Sequence, residues 1–593
     1  MASRFLNKTP FHLVLIALLG LLSYSNTFNA PFHFDDASNI VNNPIIKDFR
    51  YLIKPSLAEG LNMPFKEAMF GLLRTRYIGV VSFWLNYKAG GLDVTGYHIV
   101  NVAIHIANAL LIYALVFLTF KTPILSQSLL SEKSKYIALF SGLFFVSHPV
   151  ETQSVTYIVQ RYTSLAALFY MLSLVLYIKW RLMKEKSLSF PLVGNLSSKK
   201  DAGQAGMTGF AMPSRGGGIL YLLSVFSAVL AMKTKEIAFT LPLIITLYEF
   251  MFFKDAFKRR LMYLIPILLT MLIIPITLLS IGQPAGEIIG DVGKATRLAT
   301  DMSRWDYLFT EFRVIVTYIR LLFLPINQNF DYDYPAFHSF FDLNVFLSFL
   351  FLLSIFGFAV YLLFRSTKHP EFVEGRLISF GIFFFFIALS VESSVIPILD
   401  IIFEHRVYLP SVGIFIAFTT VVFLLVQKAK NKVAAAIVLM SAVFTLFAFS
   451  YATYMRNVVW KDGISLWEDV VVKSPNKARA HYNLGNAYHA RGSFDAAIEH
   501  YLTAIKLQPG LAEAHNELGL AYSGKGLIDN ATEHFRIAVK LNHSVADFHF
   551  NLGLSYLDKG FIDEAQREFG LALQIDPNYS KAQWFINYTT NSK

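Results

Sequence analysis

Two adjacent carboxylates, Asp35 and Asp36, follow the first long apolar run of the chain directly, in the stretch PFHFDD at residues 31–36. An acidic pair held beside a bilayer could act as a general base, or bind a divalent metal ion next to a lipid phosphate. The same pair could equally cap the end of a membrane helix, because Asp is common at helix ends and turns. Adjacency alone does not distinguish the two carboxylates.

Three further connections between apolar runs carry ionisable side chains. Such groups are costly at a membrane face and are usually functional, and Arg presents a planar fork that suits phosphate oxygens. Each set also has a structural alternative: a helix end with an ion pair between Glu151 and Arg161, lysines that anchor at the interface, or a local salt bridge. The three sets are His148, Glu151 and Arg161; Lys233, Lys235 and Glu236; and Glu404, His405 and Arg406.

The composition divides the chain into two parts. Of its 593 residues, 54% are hydrophobic and 16% are charged, whereas about a quarter of a soluble protein is charged. Residues 1–454 form a series of apolar runs, while residues 455–593 have the composition of a soluble domain. We therefore expect an all-α membrane domain followed by a soluble domain.

The charge and cysteine content exclude several classes of partner and site. Most of the net charge of +11 lies in short Lys and Arg clusters between apolar runs, as in cytoplasmic loops, so we expect no nucleic-acid partner. The chain contains no cysteine, which excludes disulfides and thiolate metal sites.

Eleven apolar runs approach the length of a membrane span. About 20 helical residues cross roughly 30 Å of hydrocarbon, so the shorter runs would need extension by their flanks. The runs lie at 11–29, 97–120, 136–149, 162–181, 217–232, 237–253, 261–281, 343–365, 377–397, 407–427 and 433–453.

The cation pattern predicts the topology. Lys and Arg cluster in alternate connections, which places the N-terminus in the cytoplasm and the acidic pair and residues 455–593 on the outer face. The first run could instead be a signal peptide ending near Asn29–Ala30, but the many later spans favour an uncleaved helix. Residues 305–325 contain Glu311, Arg313 and Arg320, so we expect an interfacial helix there; a crossing would reverse the topology. Residues 182–216 are expected to form a cytoplasmic linker.

The last part of the chain repeats with a period of 34 residues. The Leu-Gly pair recurs at 484–485, 518–519 and 552–553, and small and aromatic positions follow the same step. This pattern is typical of tetratricopeptide repeats, in which small residues mark helix contacts and aromatic residues fill the groove. We predict full repeats at 478–511, 512–545 and 546–579, preceded by half a repeat and followed by a closing helix.

Three histidines recur in these repeats, namely His481, His515 and His549. Packed helices lie about 8–10 Å apart, and Zn–N bonds are about 2.0–2.1 Å, so these three side chains cannot share one zinc ion. We expect repeat packing or peptide contacts at this position.

With these residues in place, the chain resembles the TMTC family, membrane O-mannosyltransferases of the GT-C fold with tetratricopeptide repeats. The matching stretches are FHFDD, HPVETQSV, KTKE, EHRVYLPSVG and the junction RNVVWKDGISLWEDVVVKSPNKARAHYNLGNAY. They run in order through nearly the whole chain.

The resemblance implies transfer of a mannose-like sugar from a polyprenyl-phosphate carrier to a protein hydroxyl, with inversion, by a GT-C bundle of about eleven spans. A catalytic acid in the first outer loop would be Asp35 or Asp36, which could also hold a divalent metal. The resemblance also implies donor-phosphate binding by basic residues near the outer surface, first Arg406 and then Lys233 and Lys235. From their positions in the same outer connections, we expect His405 to join this set and His148, Glu151, Arg161, Glu236 and Glu404 to support the site. The repeats would recruit the protein acceptor.

The lack of cysteine and the compact loops favour a bacterial inner membrane, with undecaprenyl-phosphate sugar as donor and the site facing the periplasm; in a eukaryote it would be the endoplasmic reticulum lumen. Two alternatives remain open. An O-antigen-ligase or polymerase type of enzyme would carry its chemistry in a large late outer loop. A non-enzymatic anchor that presents repeats to partner proteins would not need the acidic pair.

Overall fold

The computed structural model describes residues 8–58, 66–188, 215–279, 302–394, 396–398 and 400–591. Helices, turns and coil make up these residues, and no β-strand occurs among them. The all-α prediction is therefore confirmed. Most of the linker predicted at 182–216 lies outside the described residues.

The chain divides into two compact units. The first contains the apolar helices up to Val458, and the second contains residues 459–593 together with the short segment Asn329–Tyr334. The longer helices of the first unit are Thr9–Ser23, Lys66–Thr75, Tyr77–Gly90, Val94–Thr119, Ser134–Ser147, Arg161–Leu188, Arg215–Met232, Leu241–Phe252, Phe257–Leu269, Arg304–Phe323, Leu343–Lys368, Gly375–Leu389, Tyr408–Lys428 and Lys432–Val458.

Six segments in the described part of the chain are long and apolar enough to cross a membrane. Shorter apolar helices at Thr9–Ser23, Gly217–Met232 and Gly375–Leu389 match three further predicted spans. The six longer segments are Val94–Thr119, Ile158–Glu185, Phe257–Thr277, Leu343–Lys368, Glu404–Lys428 and Lys432–Lys461.

The predicted count of eleven spans is not confirmed, and helix length explains why. The apolar runs at 136–149 and 237–253 form helices of 14 and 12 residues, Ser134–Ser147 and Leu241–Phe252. At 1.5 Å per residue these helices measure about 18–21 Å, short of the roughly 30 Å of a hydrocarbon core. The topology that depends on the count stays a prediction.

Glycines bring two helices of the first unit into very close contact. A Cβ atom on Gly381 would lie 2.3 Å from the carbonyl oxygen of Gly413, and one on Gly413 would lie 2.2 Å from that of Gly381. Helices Gly375–Leu389 and Tyr408–Lys428 therefore meet backbone to backbone, as small residues allow in membrane bundles. This contact fixes the start of the second helix, where the EHRVYLPS stretch lies.

The second unit is built from helix pairs. Its helices are Gly463–Lys473, Ala478–Ala490, Phe494–Leu507, Ala512–Gly524, Ile528–Leu541, Ala546–Asp558, Ile562–Ile575 and Ser580–Asn591. The 34-residue period has a direct packing cause, because a Cβ on Gly485, Gly519 or Gly553 would lie 2.5–2.6 Å from the ring at Tyr501, Phe535 or Phe569.

A six-residue segment, Asn329–Tyr334, belongs to this second unit although it lies far earlier in the chain. Phe330 is buried between the rings of Trp460 and Trp467, at centroid distances of 5.2 and 5.5 Å. Arg479 donates two hydrogen bonds to the Asp331 carboxylate, at 2.8 and 2.7 Å, and Lys477 pairs with it as well. Nothing in the sequence analysis predicted this association.

Candidate active site

The two adjacent aspartates have different environments. Asp36 is fully buried, and its carboxylate accepts hydrogen bonds from the backbone N–H groups of His33 (2.9 Å) and Val159 (2.7 Å). His33 lies in the same loop, whereas Val159 precedes helix Arg161–Leu188. Asp36 therefore ties the loop after the first helix to the connection that follows His148.

The pKa of Asp36 reflects two opposed effects. Burial raises this pKa to about 8 and the charge of Asp35 adds to the rise, while the two N–H donors and the charge of Arg161 act against it. Both carboxylate oxygens already accept a hydrogen bond, which is the arrangement of a group that holds backbone in place. We assign Asp36 a positioning role.

Asp35 is exposed, and its neighbours orient it. Its backbone N–H donates to the Tyr157 hydroxyl (2.9 Å), and the same hydroxyl also hydrogen-bonds the Asp35 carboxylate. Phe34, just before it, has φ = 43°, the left-handed region that costs an ordinary L-residue about 1–2 kcal/mol. Strain of this kind persists only where surrounding contacts impose it, and here it turns Asp35 outward.

Arg161 is fully buried and binds neutral groups. Its guanidinium donates to the side-chain oxygens of Asn101 (2.6 Å) and Asn86 (2.5 Å) and to the carbonyl of Tyr97 (2.9 Å). The suggested ion pair with Glu151 is therefore wrong, because amide and carbonyl oxygens satisfy this cation. Arg161 organises the helices around the acidic loop.

His148 and Glu151 lie inside the bundle. Nε2 of His148 donates to the Leu322 carbonyl (3.0 Å) while Nδ1 accepts the N–H of Val150 (3.2 Å). Glu151 is fully buried, and burial raises its pKa well above the ordinary value, with the Ser411 hydroxyl offsetting only part of the rise. Both groups lie away from the exposed carboxylate of Asp35 and contact the interior of the bundle.

The lysines and Glu236 of the KTKE stretch bind groups from several helices. Nζ of Lys235 contacts a Glu392 carboxylate oxygen at 2.8 Å and the Thr163 hydroxyl at 3.0 Å, and Nζ of Lys233 contacts the Thr277 hydroxyl at 2.6 Å. Burial lowers the pKa of Lys235, and Glu392 opposes that shift. Lys235 is thus a buried cation held by one carboxylate.

Glu236 pairs with a residue that the sequence analysis did not select. Arg76 contacts both Glu236 carboxylate oxygens, at 3.3 and 3.1 Å. Burial acts to raise the pKa of Glu236, but the Arg76 charge overcomes it and the pKa is lowered.

The EHR stretch is buried as well. Two N–H groups of Arg406 donate to the carbonyls of Ile401 (2.8 Å) and Asp400 (2.6 Å), which fixes the plane of the guanidinium. His405 stacks on Phe403, at a centroid distance of 5.1 Å. Glu404 accepts a hydrogen bond from Gln328 (2.8 Å) and so supports the loop.

These groups form one charge cluster, in which Lys235, His405 and Arg406 are buried while the Arg76 and Glu236 side chains are 31% and 36% exposed. His405 lies in the field of the cations Lys235, Arg406 and Arg76. The carboxylates nearest these cations are Glu236, Glu392 and Glu311. Burial raises the pKa of Glu311 to about 7, and the Arg406 charge opposes the rise.

Four residues of the site were missed by the sequence analysis: Arg76, Tyr157, Glu311 and Glu392. Glu311 carried a usable signal, since it lies among apolar and aromatic residues of a membrane-proximal helix, where a carboxylate needs a cationic partner. Arg76, Tyr157 and Glu392 gave no signal of comparable strength.

The acidic pair and the charge cluster meet along one short segment, residues 157–163. Tyr157 and Val159 bind Asp35 and Asp36, and Thr163 binds Lys235. Four residues of 3₁₀ or α-helix separate Val159 from Thr163 by roughly 6–8 Å along the axis. An exposed carboxylate and a cation cluster therefore share one scaffold.

The side chains of the site are poorly suited to binding a divalent metal ion. Among the described residues, no three His, Cys, Asp or Glu side chains come together as ligands. Each oxygen of Asp36 already accepts an N–H group. We derive no step through a metal.

Comparison with known proteins matches most of the chain to one family. Human protein O-mannosyl-transferase TMTC1 is 25% identical over 83% of this chain and 54% of its own length. The protein O-mannosyl-transferase F38B6.6 of Caenorhabditis elegans is 24% identical over 84% of this chain and 62% of its own length. The tmtc2 protein of Xenopus laevis is 34% identical over 28% of this chain and 18% of its own length.

Family models for the repeats match as well. The model described as TPR repeat covers residues 485–526, and the one described as tetratricopeptide repeat covers residues 546–579. A crystal structure of MamA protein is 26% identical over 27% of this chain and 93% of that protein, and the Sgt2 repeat domain of Aspergillus fumigatus is 20% identical over 19% and 78%; both have a TM-score of 0.19, too low to carry an argument.

The chain is a helical membrane protein with a C-terminal tetratricopeptide-repeat region. Its resemblance to the TMTC protein O-mannosyl-transferases is confirmed, at about a quarter identity over most of its length. It spans 54–62% of the length of the human and Caenorhabditis elegans relatives.

Proposed function

We propose that this chain is a membrane glycosyltransferase that moves a mannose-like sugar from a polyprenyl-phosphate carrier to Ser or Thr hydroxyls of a protein acceptor. The observation that carries the proposal is that the exposed Asp35 and the buried Lys235 both contact one short segment, residues 157–163. Lys235 belongs to the cation cluster that also contains Arg406 and Arg76. A base beside a cation cluster is what displacement of a sugar from a phosphate requires.

Asp35 is the proposed general base. A hydroxyl is a weak nucleophile, so a carboxylate must accept its proton as the oxygen attacks the sugar. Tyr157 orients this carboxylate, and Asp36 holds the loop without touching the acceptor. One displacement breaks the bond from the anomeric carbon to the phosphate oxygen, forms the bond to the acceptor oxygen and inverts that carbon.

The cation cluster is the proposed site of the leaving phosphate. The lipid phosphate gains negative charge as the sugar departs, and preorganised donors stabilise that charge. Arg406 has a fixed guanidinium plane, and Lys235 lies opposite a single carboxylate. His405 remains neutral in our proposal and lines the site, and the more exposed Lys233 is nearest its rim.

We also propose that the repeats recruit the acceptor, and that both parts face the periplasm of a bacterial inner membrane or, in a eukaryote, the lumen. The names of the related mannosyl-transferases support a protein acceptor. The donor is proposed from the chemistry of the cluster, which suits a phosphate-linked sugar.

The sharpest test compares two neighbouring substitutions. We expect Asp35→Asn to lower sugar transfer at least a hundredfold with unchanged thermal stability, because it removes the base from an exposed position. Asp36→Asn should lower stability as well, because an amide cannot accept both N–H groups. The measurement is the intact mass of exported proteins from cells that express each variant, beside purified-protein melting curves.

Two results would contradict this assignment. Full transfer by Asp35→Asn would remove the proposed base, and full transfer by both variants would favour the non-enzymatic anchor. A ligase-type enzyme would transfer sugar to a glycan instead of protein, which the same mass measurement distinguishes.

A further inference from the structure

Each repeat places a pair of ionisable side chains between its two helices. Nδ1 of His481 lies 3.2 Å from Nδ1 of His500, and Nδ1 of His515 lies 3.1 Å from Nδ1 of His534. The third repeat differs, because His549 faces a carboxylate oxygen of Glu568 at 2.6 Å. In all three pairs the two residues are 19 positions apart in the chain. The same place between the helices therefore holds two histidines in the first two repeats and a histidine with a glutamate in the third.

The first histidine of each pair has a fixed tautomer. Nε2 of His481 lies 3.0 Å from the Pro475 carbonyl oxygen, so this nitrogen carries a proton and donates it. His515 makes the same kind of bond to the Pro509 carbonyl. In the neutral rings, Nδ1 of His481 and of His515 must therefore accept a hydrogen bond.

The second histidine supplies the proton of that bond. His500 donates Nδ1–H to His481, and Tyr488 stacks on its ring at a centroid distance of 5.6 Å. His534 does the same toward His515, with Tyr522 stacked on it at 5.6 Å. Each pair has room for one proton between its facing nitrogens, and a second would put two N–H donors about 3 Å apart.

The carboxylates near the two histidine pairs do not offset the cost of a second proton in either pair. Burial lowers the pKa of His500 and His481 lowers it further, while Glu499 on the same helix and Glu468 on helix Gly463–Lys473 oppose the shift. Burial likewise lowers the pKa of His534, with His515 adding to the effect and Glu533 opposing it.

The third repeat differs in this respect. Nε2 of His549 lies 3.1 Å from the His543 carbonyl oxygen, so its Nδ1 needs a proton of its own to donate to Glu568. Both ring nitrogens of His549 thus face oxygen acceptors, so a hydrogen on each nitrogen brings no two donors together. The third pair therefore lacks the donor–donor conflict that the first two pairs would meet.

We propose that the repeat unit is a proton-sensitive device, in which acidification loosens the first two repeats and leaves the third intact. The folded pairs bind fewer protons than free histidines, so their stability is present above the ordinary histidine pKa of about 6.5 and is lost as the pH falls below it. The proposal does not rest on the proposed transferase activity.

Amide hydrogen exchange of the full-length protein in detergent tests this, with rates corrected for the intrinsic effect of pH. Between pH 6.5 and 5.5 we expect protection to fall by about fivefold for each excluded proton in helices Ala478–Ala490 through Ile528–Leu541, because a free histidine is already half protonated at pH 6.5. Helices Ala546–Asp558 and Ile562–Ile575 should change much less, and they serve as an internal control. An equal loss in all three repeats, or no loss in the first two, would overturn the proposal.

Variants that exchange the histidine and glutamate partners between repeats give a second, independent test. His500→Glu with His534→Glu copies the third repeat and should abolish the acid response, whereas Glu568→His should create it in the third repeat. If the double variant keeps the response, or Glu568→His leaves the third repeat unchanged, the pairs are not its cause. The wild-type comparison between repeats stands even where a variant folds poorly.

Discussion

Glu151 shows how burial sets the charge of a single residue in this protein. Its carboxyl group is fully enclosed, and burial raises its pKa well above the ordinary value, so burial favours the neutral form. Tyr24 and Tyr408 lie in its field, and Ser411 is its hydroxyl neighbour. A neutral amide of the same shape should therefore be accepted at this position.

We expect Glu151→Gln to fold and to become more stable than the wild type as the pH rises. The folded wild type keeps a proton that the unfolded chain loses above about pH 4.3, so its stability falls with rising pH by up to about 1.4 kcal/mol per unit. The variant lacks this slope. Melting curves of the two detergent-solubilised proteins from pH 5 to 8 measure it, and parallel curves would show that Glu151 is charged in the folded protein.

The sequence identifies Asp35 and Asp36 as a pair, but it does not predict that their roles differ. That difference depends on the positive φ of Phe34 and on an N–H group of Val159, more than 120 residues away. Spacing likewise suggested Glu151 as the partner of Arg161, whereas the fold surrounds Arg161 with amides and carbonyls. Contacts between distant segments set these outcomes, and no local pattern encodes them.

Among the structural elements, the repeats could be predicted from the sequence because each is stabilised by contacts between residues that lie close together in the chain. A glycine and an aromatic residue 16 positions apart meet in every repeat, so the period in the sequence is also the period of the packing. The segment Asn329–Tyr334 is the opposite case. It joins the repeat unit through Phe330 and Asp331, and no periodic signal marks it.

We expect Asp331→Ala to destabilise the repeat unit by about 1–3 kcal/mol, because it removes the buried carboxylate that Lys477 and Arg479 both contact. Partial exposure of both cations keeps the cost at this level. Asp495→Ala is the matched control, since its pair with Lys525 is exposed and should contribute little. Protease resistance of residues 459–593 in the full-length protein measures both, and equal resistance would show that Asp331 does not anchor its segment.

For the whole molecule, the proposed function requires that the acidic loop and the repeats face the same side of the membrane. Both face the same side only if an even number of spans lies between Asp35 and Val459, and the predicted total of eleven leaves ten after the first crossing. Six candidate spans and several shorter apolar helices leave that number open to measurement. The absence of cysteine makes the measurement clean, because an introduced thiol would be the only one in the chain.

We therefore expect three single-cysteine variants at exposed positions to label differently with a membrane-impermeant maleimide. Ser38→Cys beside the acidic loop and Ser544→Cys in the repeats should react in intact cells, or in vesicles that keep the cellular orientation, because both should face outward. Asn431→Cys lies in a cation-rich connection and should react only after the membrane is opened. Labelling of Ser38→Cys without Ser544→Cys would place the repeats on the cytoplasmic side, and acceptor recruitment by the repeats would then be impossible in the form proposed.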